Sequence, residues 1–263
     1  ESIELLPPTD MASWPEAGGT PAKAPGHVNA APDLKIAWRN SVGKGSSNKS
    51  AVTTPPVASE TAIYTLDADQ TIYSTEISSG RTLWKKELKG LTKRDKTALG
   101  GGLAVTDGTL IVASGFGYVT RVSAEDGTEL WKRELGVPMT GAPTVKDGTI
   151  FVASNNNEVF ALDLETGETD WSDQAIAESA RVLGSPSPAA IEDFVIAPYS
   201  SGEIIAYLAN NGRRLWTDAI SQAGRFTPIS EINDIGSRPV LSDGLVCASS
   251  QSGITVAIDG RSG

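Results

Sequence analysis

The 263-residue sequence holds one cysteine, Cys247, and one histidine, His27. A lone cysteine forbids an internal disulfide, and one His with one Cys is too few for a structural zinc site. So low a thiol count sits better with an oxidising compartment than with a reducing one. No long apolar run occurs, so no segment reads as a membrane-spanning helix. No signal peptide opens the chain either, and residue 1 reads as mature or trimmed sequence. Basic residues are outnumbered, with 22 Lys and Arg against 32 Asp and Glu, for a formal net charge of −10. Such a chain repels phosphate backbones and anionic membrane surfaces, which removes nucleic acid from the partner classes and direct docking on a lipid surface with it.

What is present points to β structure. There are 27 glycines and 15 prolines, and hydrophobic residues make up 39 % of the chain. That composition suits a soluble globular protein with many turns.

The tryptophans reveal a repeat. Trp38, Trp84, Trp131, Trp171 and Trp216 lie 46, 47, 40 and 45 residues apart. Four of them close a common phrase: SSGRTLW at 78–84, EDGTELW at 125–131, ETGETDW at 165–171 and NNGRRLW at 210–216. A fifth copy, AIDGRSG, starts at Ala257. Gapless 22-residue blocks run through 63–84, 110–131, 150–171 and 195–216, and another begins at 246. Inside each, two short apolar runs flank a polar turn, as Ile150–Ala153 and Val159–Leu162 flank Asn155-Asn156-Asn157. Asp107-Gly108, Asp147-Gly148 and Asp243-Gly244 precede three of the blocks and read as type I′ hairpin turns. Ahead of each turn stands one more short strand. The unit is therefore four antiparallel strands in 40–51 residues, which is a propeller blade.

The reading is an all-β propeller over 34–263 behind an extended leader of residues 1–33, rich in Pro, Ala and Gly. Each Trp belongs to the outermost strand of its blade, where it covers the seam to the next; these are core residues, not ligand platforms. Trp38, within LKIAWRN at 34–40, lacks preceding strands. It reads as an N-terminal strand that completes the last blade.

The phrase resembles the pyrroloquinoline-quinone-type propeller repeat, A-x-D-x-x-T-G-x-x-x-W, which blade three carries as Ala161, Asp163, Thr166, Gly167 and Trp171. Two groups bear that repeat: quinone-dependent dehydrogenases, and BamB-type lipoproteins of the outer-membrane β-barrel assembly machine. Ile220-Ser221-Gln222-Ala223 after Trp216, then Asp234 and Pro239, is similar to the second group, as is Gly184-Ser185-Pro186-Ser187-Pro188. That resemblance implies an eight-bladed ring. Eight blades of about 45 residues need roughly 360, so the chain is expected to be truncated or cleaved, with about five blades present. The rival arrangement is a formal five-blade ring closed by 34–40.

The connections between blocks vary in length: 25, 18, 23 and 29 residues for 85–109, 132–149, 172–194 and 217–245. In an up-and-down blade they share one face, which marks it as the binding surface. Lys89–Gly102, Gln174–Ser185 and Ala219–Ser237 stand out there. Arg181, Val182 and Leu183 in the second, with Ile232, Asp234 and Ile235 in the third, combine Arg with aliphatics as docking surfaces do. The alternative is that the aliphatics tuck under the loops as satellite core. The resemblance implies that this patch binds a periplasmic domain of BamA, the barrel-insertion subunit, through a Leu-Arg-Gly phrase and an Asp-x-Asp pair. Here the first reads Val182-Leu183-Gly184, with the arginine displaced to Arg181, and the second keeps Asp234 but has Gly236. Leu183 and Asp234 are the two leading positions.

Enzyme chemistry finds little purchase. Quinone dehydrogenases use a vicinal cysteine pair, a calcium and a catalytic Asp; one cysteine removes the pair, and no Asp-rich calcium loop stands out. His27, in Pro25-Gly26-His27 of the leader, reads as an exposed loop residue. Gly100-Gly101-Gly102 is followed by no Lys-Ser/Thr and opens no helix, so it is not a phosphate loop. Lys93-Arg94-Asp95-Lys96 reads as a solvated loop, and Asn48-Lys49-Ser50 as a chance match to a glycosylation acceptor. The sequence therefore predicts a cofactor-free, non-catalytic scaffold at the periplasmic face of the outer membrane. Its partners would be a BamA-like subunit and nascent outer-membrane proteins, and its membrane attachment an N-terminal lipid anchor absent from this chain. The runner-up is a fragment of a periplasmic quinone-dependent dehydrogenase.

Overall fold

A computed structural model describes residues 6–31, 33–47, 52–175, 187–220, 235–251 and 253–263. Five antiparallel sheets follow one another along the chain, and no α-helix occurs among the described residues. Blade one is β1 (Val57–Ala58), β2 (Ala62–Leu66), β3 (Thr71–Glu76) and β4 (Thr82–Glu87). Blade two is β5 (Gly101–Thr106), β6 (Thr109–Ser114), β7 (Tyr118–Ser123) and β8 (Glu129–Glu134). Blade three is β9 (Thr144–Lys146), β10 (Thr149–Ala153), β11 (Glu158–Asp163) and β12 (Thr169–Gln174). Blade four is β13 (Ala189–Ile191), β14 (Phe194–Pro198), β15 (Glu203–Leu208) and β16 (Arg214–Ala219). The fifth sheet has three strands, β17 (Val240–Ser242), β18 (Leu245–Ser249) and β19 (Thr255–Asp259). Within each sheet the strands pair in chain order, the up-and-down blade expected from the repeat.

Burial follows position in the blade. β6 is buried at all six residues, because both faces of a middle strand lie against neighbouring blades. β4, β8 and β12, the outermost strands, keep charged side chains in solvent. At Asp107, Asp147 and Asp243 the backbone enters the left-handed region, with φ of 45°, 48° and 51°, and the glycine after each does too. This is the type I′ geometry that Asp-Gly encodes. Blade four has no Asp-Gly here and places Glu192 at φ 48° instead.

Four core clusters hold the blades together, one at each seam between successive blades. Among the described residues no such cluster joins the fifth blade to the first. Each seam carries the same device. Trp84, Trp131, Trp171 and Trp216 donate their indole N–H to a carbonyl of the following blade, at Ala124, Leu164, Ala209 and Gly260. Three residues further on, Gly127, Gly167, Gly212 and Gly263 each sit against that same indole.

Residues 34–40 depart from expectation. They join no ladder with the described strands, and Leu34 and Ile36 are exposed. The tryptophan alone keeps its predicted role: Trp38 donates to Ile77 O at 2.6 Å and covers Gly80, repeating the seam contact on blade one. The leader departs too. Residues 14–23 do not trail away but pack against the innermost strands, with Ala17 fully buried.

Candidate partner-docking face

Antiparallel pairing sorts every turn to one of two faces. The β1–β2 and β3–β4 type turns of each blade lie on one; the β2–β3 type turns and the connections between blades lie on the other, as the length variation predicts. Each connection leaves its outer strand in the same way. The backbone N–H of Leu88, Leu135, Ala175 and Ile220 donates to Gln70 O, Gly117 O, Asn157 O and Gly202 O, the β2–β3 turn of the same blade. A bond of 2.8–2.9 Å thus fixes where each connection starts, joined in blade two by a second from Gly136 N–H to Gly117 O at 3.1 Å.

The two loops that carry the predicted site start side by side. Asn157 and Ser200 join the turns beneath them: Ser200 donates to Asn157 Oδ1 from its hydroxyl at 2.6 Å and from its backbone N–H at 3.3 Å, all in a buried setting. The far ends are pinned as well. Ser187 is buried, and Pro188 O accepts a 2.6 Å bond from Thr144 Oγ1 of blade three. Ile235 bridges Ser250 of blade five and is fully buried in the core cluster that also holds Ile220. The described ends of both connections are therefore fixed to neighbouring blades.

Of the predicted docking residues, Arg181, Val182, Leu183, Ile232 and Asp234 lie outside the described residues. Ile235 is described, and its side chain is in the core rather than at the surface, the packing alternative for an aliphatic at a loop base. Asn157 and Ser200 gave a weaker sequence signal: a polar turn residue between apolar runs. Nothing in either turn alone says that they bond across a seam.

A polar chain runs from the buried Tyr199 out to the exposed Arg214 across the seam of blades three and four. Tyr199 and Tyr207 share a 2.6 Å hydroxyl contact, Tyr207 donates to Asp173 Oδ2 at 2.7 Å, and Arg214 bonds the same oxygen through Nε at 2.8 Å. Burial pushes both phenols well above the usual tyrosine range, and each sits in the field of Asp173. Neither ionises near neutrality, and the network braces blade three against blade four. The first loop has a polar groove of its own, lined by Asp69, Lys89, Lys93, Asp95, Lys96 and Phe116. On the opposite face an apolar cleft of about 180 Å³ opens at the seam of blades four and five, between Ile191, Phe194, Leu241, Leu245 and Val246. Among the described residues no three His, Cys, Asp or Glu side chains are grouped to hold a metal ion.

The comparisons with known proteins agree with the repeat. A family model described as "Outer membrane protein assembly factor BamB" matches residues 68–263. Proteins of that name from Yersinia pestis and Escherichia coli are 25 % identical over 266 residues and 30 % identical over 230. Those alignments take in 100 % and 86 % of this chain. The chain spans 67 % and 58 % of those two relatives, so part of their length has no counterpart in it. Among solved structures, BamB from Moraxella catarrhalis superposes with a TM-score of 0.64 at 18 % identity, over 81 % of this chain and 59 % of that one. A europium-containing methanol dehydrogenase gives 0.72 at 15 % identity, over 95 % and 57 %. At such identities the likeness is one of fold.

Proposed function

Because the chain belongs to the family of outer membrane protein assembly factor BamB, we propose that it is a non-catalytic scaffold of the β-barrel assembly machinery at the periplasmic face of the outer membrane. It docks the periplasmic part of the BamA insertase and so assists insertion of barrel proteins. The observation that carries this reading is the bond between Asn157 and Ser200, which ties together the two turns of adjacent blades at which these long connections start. A row of rigid blades that holds two loops by fixed bases can grip one partner domain without an ordering penalty at the bases. Leu183 supplies the apolar anchor, with Arg181 and Val182 beside it. Asp234 supplies the polar contact, and Ile232 adds apolar area. Ile235 contributes by fixing the loop end and not by touching the partner.

The test is binding of the purified chain to the periplasmic part of a BamA-like subunit by calorimetry. Leu183→Asp and Asp234→Lys each weaken binding at least about tenfold, the loss typical of an anchor residue, with thermal stability unchanged. Wild-type affinity in both variants overturns the assignment of the site; no binding by the unaltered chain overturns the scaffold reading. The fold likeness to dehydrogenases favours one second reading, a quinoprotein fragment. It requires that added quinone and calcium bind the chain and develop a quinone absorbance.

A further inference from the structure

The stretch Trp14-Pro15-Glu16-Ala17-Gly18-Gly19-Thr20-Pro21-Ala22-Lys23 meets the innermost strand of every blade, in order. Trp14 exchanges two backbone bonds of 2.8 Å with Ala58 of β1. Pro15 O accepts from Val105 N of β5 at 2.7 Å. The Glu16 carboxylate faces Val145 N of β9 at 3.4 Å. Pro21 O and Ala22 O accept from Ala190 N of β13 and Leu241 N of β17, at 2.8 and 2.9 Å. Val105, Val145, Ala190 and Leu241 each stand two residues before the first turn residue of their hairpin, and so occupy one level of the structure. The innermost strand of a blade lines the propeller axis, and its inward edge is otherwise an unpaired row of N–H and C=O groups.

The segment is shaped to reach all five. Gly18 and Gly19 adopt φ of +90° and +83°, and the chain doubles back there. A Cβ on Gly18 would lie 3.0 Å from the Lys23 side chain, and one on Gly19 would lie 3.0 Å from the Trp14 indole, so only glycine lets the two arms close. Lys23 then meets Glu16 in a buried ion pair. Burial opposes the charged form of each, and the pairing offsets that in part. Outside this seat the ends of the segment mostly bond to each other: Thr9 bridges Val28, and Asn29 bonds Asp10.

We propose that the inner-strand edges of the five blades form a binding site for one peptide folded back on itself, and that its resident ligand is Trp14–Lys23 of the same chain. The site recognises backbone carbonyls at four edges and, through Val145 N–H of the fifth, a carboxylate that the peptide's own ammonium pairs. The peptide acts as a hub: it joins all five blades at the axis, where the described residues show no closing seam.

The experiment keeps the chain whole until it has folded. A protease recognition sequence replaces residues 30–33, and the folded protein is then cut. The cut N-terminal piece is expected to stay bound, co-eluting one-to-one on size exclusion. Glu16→Ala leaves Lys23 buried without its partner, and the cut piece then leaves at least about 100-fold faster. Glu16→Met with Lys23→Met removes both charges and retains the piece, which guards against a general folding defect. Amide exchange reads the same event on the uncut chain: in Glu16→Ala the Val105, Ala190 and Leu241 amides lose protection, while those of Leu110 and Val119 keep it. Immediate loss of the piece from the otherwise unaltered cut protein overturns the proposal, as does equal retention in Glu16→Ala.

Discussion

The indole of Trp131 sits against Gly167 of the next blade so closely that a Cβ built on the glycine would lie 2.6 Å from indole Cε3. The same indole donates to Leu164 O at 3.1 Å, and Gly167 itself lies at φ +67°. One residue thus has to be glycine twice over, for its backbone and for its neighbour. Gly167→Ala is expected to destabilise the protein by about 2–4 kcal/mol, from left-handed strain and overpacking together. Gly148→Ala, at φ +79° with open space around it, carries only the strain and should lose about 1 kcal/mol. Urea unfolding of the two variants beside wild type checks the difference.

The Tyr207 hydroxyl bridges Tyr199 and Asp173 across a seam. Tyr207→Phe strands the Tyr199 hydroxyl, which is buried, and should lose about 1–3 kcal/mol. Tyr199→Phe leaves Tyr207 its bond to Asp173 and should lose less. The order of the two urea midpoints is the readout; a reversed order sinks the cross-brace.

Asp163 holds the β11–β12 turn. Its carboxylate accepts from the Thr166 backbone and hydroxyl and from the Glu165 backbone, and the Thr166 bonds hold it below the usual carboxylate range. A folded-state value that is depressed contributes stability above the unfolded value, 3.8, and loses it as pH falls through the folded one. Between pH 5 and pH 2.5 wild type should therefore lose more stability than Asp163→Asn. Chemical unfolding at a series of pH values reads this directly.

Asn157 ties together the turns at which the second and third long connections start, and sits at φ 60°. Asn157→Gly keeps the backbone and removes the tie. It should weaken binding of the BamA-like partner several-fold while Leu183 and Asp234 stay intact. Binding at wild-type strength would show that the loops do not need a common base.

Most of the architecture was legible in the order of residues. The Trp spacing, the Asp-Gly turns and the paired apolar runs determined the up-and-down blades and the face on which the connections between them lie. These are local matters: a type I′ turn, a pleated strand and an outer-strand tryptophan are each specified within a few residues. The family followed from the phrase around Trp171 and the segment after Trp216. What the sequence could not determine was whatever depends on one blade meeting another. Asn157 and Ser200 are ordinary turn residues until a seam brings them within 2.6 Å. Ile235 reads as a surface aliphatic until the fifth blade buries it. Residues 14–23 read as a Pro- and Gly-rich tether because no periodicity marks them; their partners are five strand edges scattered from Ala58 to Leu241. Only the assembled propeller places those edges around one axis, and it is there that a segment without local structure acquires a fixed one, because unpaired backbone groups need partners.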